Sequence, residues 1–154
     1  MEPYIPVIIV AVIVLLCTIA IVCLRIAKRR QPKEMDLMEG HEFEYYCAEL
    51  LKNHGFQEVE VTKGSGDYGV DILAQREGIT YAVQCKRYDV PVGVHAIQEA
   101  YAGRDYYDRM VGVVMTNQYF TAPAVQVAQK LKILMWDRDY LEELAAEPVE
   151  VNSL

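Results

Sequence analysis

The sequence is short of the residues that build disulfide frameworks and metal–thiolate sites: 4 cysteines and 3 histidines in 154 residues. Cys17, Cys23, Cys47 and Cys85 follow no zinc-site spacing and suggest no disulfide scaffold. His41, His54 and His95 share no spacing suited to a metal, so surface or helix-end roles suit them better. Positive charge is also scarce over most of the chain. Residues 34–154 hold 10 Lys+Arg against 21 Asp+Glu, a net charge of −11. Phosphate backbones repel such a surface, which weighs against nonspecific, tight nucleic-acid binding but leaves room for a local basic cleft or a metal that offsets the carboxylates. Glycines 64, 66 and 69 resemble a phosphate cradle, yet no P-loop lysine follows and a strand comes next, so nucleotide binding there is excluded. No internal repeat or low-complexity tract occurs.

Apolar residues, by contrast, make up 53% of the chain and crowd its first 24 positions. The stretch from Tyr4 to Leu24 carries no charge. As a helix it would run about 31 Å, the thickness of a bilayer's hydrocarbon core. A cleaved signal peptide would place positive charge before the run, whereas here Arg25, Lys28, Arg29, Arg30 and Lys33 follow it. A buried core helix would be shorter and would show a polar stripe. The expectation is a single-pass membrane protein: a short external N-terminus (1–3), a transmembrane helix (4–24), and a basic linker (25–38) on anionic headgroups at the cytoplasmic face. One cytoplasmic domain (39–145) and a C-terminal tail (146–154) complete the division.

Within residues 39–54, Phe43, Tyr46, Cys47, Leu50 and Leu51 recur at helical spacing, and Gly55 ends the helix. Strands are expected at Val59–Val61, 70–75, 80–87, 111–116 and 133–136, with helices at 93–109, 121–131 and 138–145. A hairpin followed by strand–helix alternation predicts an α/β domain: a mixed central sheet with helices on both faces.

The chemistry is concentrated in residues 69–87. A hairpin turn centred on Glu77-Gly78 would pair Arg76 with Ile79, Ile72 with Val83 and Asp71 with Gln84. Asp71, Gln84 and Lys86 then converge on one face at the far end of the hairpin. Such a group suits phosphodiester hydrolysis. Asp71 and Gln84 offer oxygen to a hard divalent cation, and Lys86 orients water or stabilises transition-state charge. A second carboxylate is needed, and the first helix supplies both Glu42 and Glu44.

The pattern D-x12-Q-x-K after a Gly-x-Asp turn resembles the PD-(D/E)xK nucleases of the restriction-endonuclease-like fold. It is most similar to the Mrr-type catalytic domain, in which glutamine often replaces the acid of the final motif. Four stretches carry the resemblance: GHEFEYYCAELLKNHGF (40–56), GSGDYGVDILAQ (64–75), YAVQCKRY (81–88) and VVMTNQYFTAPAVQVAQKL (113–131). The resemblance implies a catalytic set of Glu44, Asp71, Gln84 and Lys86. Glu44, Asp71 and Gln84 would hold Mg²⁺ or Mn²⁺, and DNA would be the substrate. It selects Glu44 over Glu42. Gln98, Thr116 and Arg87 are secondary candidates for substrate contact. Asp67 is a turn residue or an outlying support of the site. Tyr101, Tyr106 and Tyr107 could stack on bases, although packing is the commoner use of tyrosine.

Together these features describe a membrane-anchored, metal-dependent DNA endonuclease, suited by its tether to defence against incoming DNA. A homodimer would bring the two active sites that double-strand cleavage requires. The rival readings are a catalytically silent DNA- or protein-binding module on the same fold, favoured by the −11 charge, and a membrane adaptor.

Overall fold

A computed structural model describes residues 5–29, 33–62 and 68–146. The chain divides into two compact units, Met1–Lys33 and Glu34–Leu154. The first unit holds α1 (Ile5–Arg29). Its described side chains, from Ile9 to Val22, are largely exposed.

The expected transmembrane helix at 4–24 needs correction. Among the described residues no helix is long and apolar enough to cross a membrane. Single-pass localisation falls with it, as do the headgroup contact and the defence role inferred from a tether.

The second unit begins with a short helix, α2 (Glu34–Leu37), inside what the sequence reads as linker. There follow α3 (Gly40–Asn53), β1 (Gln57–Val61), β2 (Ile72–Arg76), β3 (Ile79–Lys86), α4 (Val94–Tyr106), β4 (Val111–Thr116), α5 (Ala122–Leu131), β5 (Ile133–Trp136) and α6 (Arg138–Ala146). The described strands form one five-stranded sheet in the order β1-β2-β3-β4-β5. β1, β2 and β3 pair antiparallel, while β3, β4 and β5 run parallel. This is the expected mixed α/β sheet flanked by helices.

Both faces of the sheet are covered. Phe43, Cys47 and Leu51 of α3 and Leu141 of α6 pack on Ile72, Val83, Val113 and Met115. Ile97 and Ala100 of α4, with Ala124 and Ala128 of α5, pack on Val114 from the other side. The neighbours Val113, Val114 and Met115 therefore part to opposite faces, and all are fully buried. That explains why β4 reads as an unbroken apolar run.

One polar network crosses the unit. Asp36 of α2 accepts from both terminal nitrogens of Arg138 at 2.8 Å. It also accepts from Asn117 Nδ2 at 2.9 Å. The hydrogen bond that Arg138 donates to Asp36 leads the causes that raise the Arg138 pKa above its already high ordinary value. The pair is mostly buried, with side-chain exposures of 11% for Arg138 and 15% for Asp36. Removing one partner strands a buried charge. Arg138→Ala is expected to lower the unfolding free energy by about 3 kcal/mol in equilibrium urea denaturation. Asp36→Ala should cost a similar amount, and the double variant much less than the sum of the two. Additive losses would show that the two side chains are not coupled.

Candidate active site

The site is built on the β2–β3 hairpin. Glu77 (φ 53°) and Gly78 (φ 79°) both have positive φ. That is the type I′ geometry, whose twist matches a two-residue hairpin loop. The register follows: Arg76 faces Ile79, Ala74 faces Tyr81 and Ile72 faces Val83. The ladder ends at Ile72–Val83: the Asp71 amide donates to the Val83 carbonyl at 2.8 Å, one residue out of register, so the expected Asp71–Gln84 pair is not part of the ladder although both residues lie at that end of the hairpin. With Ile72 and Val83 turned to the α3 core, alternation sends Asp71, Gln84 and Lys86 toward α4.

Asp71 and Gln84 are buried, at 8% and 5% exposure. Asp71 Oδ2 accepts from the Cys85 amide at 2.6 Å, which fixes the carboxylate. With the amide turned so that both of its ends are satisfied, Gln84 Nε2 donates to the Gly69 carbonyl at 3.0 Å. Gln84 Oε1 then accepts from Lys86 Nζ at 2.9 Å. Lys86 Nζ also lies 2.8 Å from Glu99 Oε2 on α4. The other Glu99 oxygen is 3.1 Å from His95 Nδ1.

Asp71, Gln84, Lys86 and Glu99 line a cavity of about 560 Å³ together with Glu44, Tyr68, Arg87 and Tyr88. Glu42 and Glu44 of α3 have separate roles. Glu42 accepts from the Glu39 amide at 3.0 Å and closes the helix start. Glu44 reaches the cavity and lies 2.8 Å from His41 Nδ1. Arg87 lines the rim, where its NH1 donates to Asp89 at 2.8 Å and its NH2 to the Asp36 carbonyl.

The structure does not bring the other two substrate-contact candidates into the cavity. Thr116 is fully buried, and its hydroxyl donates to the Lys86 carbonyl at 2.6 Å, joining the ends of β3 and β4. Gln98 is exposed on α4. The residue sequence reasoning missed is Glu99. Its signal was the stripe Ala96, Ile97, Ala100 and Gly103, all buried. At 100° per residue, Gln98 points almost opposite that stripe while Glu99 lies on its flank. Asp67 and glycines 64 and 66 lie outside the described residues.

The donors fit a hard divalent cation in kind: the Asp71 and Glu44 carboxylates, the Gln84 amide oxygen and nearby backbone carbonyls. Among the described residues no group of three His, Cys, Asp or Glu side chains could hold a metal. Mg²⁺ asks for less, since it takes one or two carboxylates and fills its remaining positions with water and substrate phosphate.

A mixed sheet with helices on both faces, and Asp, Gln and Lys side chains gathered at a hairpin end, has the form of a restriction-endonuclease-like domain. Residues 35–145 match the restriction endonuclease family Mrr_cat, and the chain belongs to that family. No curated protein matches the sequence. Among solved structures, the chain is similar to AF1548, a protein of unknown function, at TM-score 0.61 and 21% identity over 75% of this chain and 72% of that one. It is similar to AspBHI, a DNA modification-dependent restriction endonuclease, at TM-score 0.56 and 15% identity over 77% of this chain. It is also similar to the MspJI restriction endonuclease, solved in complex with a 27-mer oligonucleotide, at TM-score 0.52 and 16% identity over 73% of this chain. The chain spans only 36% of AspBHI and 29% of MspJI. At these identities the likeness is one of fold.

Directly behind the site, the Cys85 thiol is pushed well above its ordinary pKa. The causes are its hydrogen bond with the Cys47 thiol, then burial, then the charges of Cys47, Asp71 and Glu44. A protonated, buried thiol is inert. In iodoacetamide at about pH 8, Cys17 should alkylate at once, because it is exposed. Cys47 and Cys85 should alkylate only as fast as the domain unfolds, as read by peptide mass spectrometry. Fast labelling of Cys85 in the folded protein would contradict this.

Proposed function

We propose that this domain is a metal-dependent DNA endonuclease that hydrolyses phosphodiester bonds at the Asp71–Gln84–Lys86 cavity. The observation that carries the reading is the convergence of Asp71, Gln84, Lys86 and Glu44 on one cavity in a chain of the restriction endonuclease family. Asp71 and Glu44, with Gln84, would hold Mg²⁺ or Mn²⁺. When bound, that ion would supply Lewis-acid polarisation of the phosphoryl group and a more acidic water.

The protein's own share is positioning. The Cys85 amide holds one Asp71 oxygen in place, so the carboxylate meets its ligand without reorganising. Glu99 and Gln84 engage two of the three protons of the Lys86 ammonium. The third is left for a non-bridging phosphoryl oxygen, where charge accumulates in the transition state. Arg87, anchored to Asp36 and Asp89, offers a second fixed cation at the rim. Cutting both strands of a duplex would need two such sites, hence two copies of the chain.

The net charge of −11 over residues 34–154 favours a second reading, a binding module that keeps the fold without turnover. A cleavage assay on the full chain separates the two. Linear, supercoiled, methylated and single-stranded DNA would be offered with Mg²⁺, with Mn²⁺ and with EDTA. Cutting is expected with metal only. Lys86→Ala and Asp71→Asn should each reduce it by about 100-fold or more, as expected for loss of a group that stabilises transition-state charge. Cutting that survives both substitutions would sink the proposed site, and a folded protein that binds DNA but cuts none would favour the second reading.

A further inference from the structure

Beside the cavity, Tyr68 and Tyr106 stack on one another with ring centroids 3.8 Å apart and planes 26° apart. Each ring spends one face on its partner, yet each residue remains 56% exposed. Tyr107 meets Tyr106 edge-on at 5.1 Å and props it from the side. Single exposed aromatics are ordinary on a protein surface. This pair differs in its location and its backbone. Tyr68 is a bulky residue at positive φ (49°), which is uncommon for such a side chain, and it lines the same cavity as Asp71 and Lys86.

The pair is placed by two glycines. A Cβ on Gly103 would collide with Val70 and approach the Tyr68 carbonyl to 2.8 Å. One on Gly69 would approach Glu99 Cβ to 3.0 Å. With no Cβ at either position, α4 lies directly against the 68–70 turn, and Tyr68 reaches Tyr106. On α4, Glu99, Ala102 and Tyr106 follow at three- and four-residue spacing and so share a face. Glu99 and Ala102 line the cavity. Tyr106 extends that face by about 10 Å from Glu99 along the helix axis. That distance corresponds to about three steps of a stacked strand.

We infer that Tyr68 and Tyr106 form a stacking platform for an unpaired nucleobase, so that the domain prefers DNA that is single-stranded near the bond it cuts. The inference rests on the nuclease reading above and names its substrate class. The acid-rich surface points the same way. A net charge of −11 weighs against affinity built chiefly on neutralising phosphates, whereas stacking on a π face is indifferent to that charge.

The test uses the full chain with Ca²⁺ in place of Mg²⁺, so that binding is read without depending on turnover. The probes are a single-stranded oligonucleotide carrying 2-aminopurine, its duplex, and a single strand with abasic positions. The single strand should bind more tightly than the duplex, with a shallow salt dependence and quenching of 2-aminopurine. Tyr106→Ala should weaken single-strand binding roughly tenfold and abolish the quenching, while Tyr106→Phe keeps both. Abasic positions should cost the wild type the same factor and cost Tyr106→Ala nothing further. Thermal melts matching the wild type would show that the variants fold. Unchanged binding by Tyr106→Ala, or a duplex bound as tightly as the single strand, would overturn the platform. If Lys86-dependent cutting persists in that case, the nuclease reading stands without it. A chain that neither binds nor cuts any of these DNAs removes both.

Discussion

Glu77 and Gly78 restrict the β2–β3 hairpin to a loop of two residues, and the site inherits its geometry from that count. One more residue in the loop would move Gln84 and Lys86 from the α4 face to the α3 core, because side chains alternate along a strand. An amide and an ammonium would then replace Val83 and Cys85 among Phe43, Cys47 and Leu51. The hydrophobic alternation of the hairpin and the chemistry of its end are thus one constraint. The register that buries Ile72 against Val83 is the register that brings Gln84 and Lys86 to the end of the hairpin where Asp71 stands.

A second constraint acts across the sheet. α4 carries no Cβ at Gly103 where it meets Val70, and the turn carries none at Gly69 where it meets Glu99. This close approach gives Lys86 a carboxylate partner from another element. The Glu99 carboxylate lies 2.8 Å from the Lys86 ammonium and holds it at the cavity.

Much of this was legible in the sequence, and what was not has identifiable causes. The hairpin register followed from turn chemistry at Glu77-Gly78, and the mixed sheet from the order of elements. The choice between Glu42 and Glu44 was not legible from helical phase, because neither lies at the centre of the apolar face. It depended on a resemblance, and the structure adds that Glu42 is engaged at the helix start. Gln98 was read as turning inward, but at 100° per residue it lies almost opposite the buried stripe of α4, and Glu99 on the flank of that stripe reaches the cavity instead. Residues 34–38 read as linker because they carry no periodicity. Their hold on the domain is long-range and polar, through Asp36, together with the burial of Met35. The N-terminal apolar run misled most: it reads as a span, yet among the described residues no helix is long and apolar enough to cross a membrane.

The Asp36 network has a consequence for how the protein is made. Asp36 and Arg138 are 102 residues apart in the chain, and the intervening segment contains the entire sheet. A growing chain exposes α2 and α3 before any strand, and the partner that fastens α2 appears only after the whole sheet has been made. Arg87 takes its second anchor from the Asp36 carbonyl, so the rim of the cavity is complete only after the final helix docks. Sheet pairing can therefore precede closure of the rim, and a nascent chain ending before Arg138 would carry every proposed catalytic side chain without the clasp that fixes their surroundings.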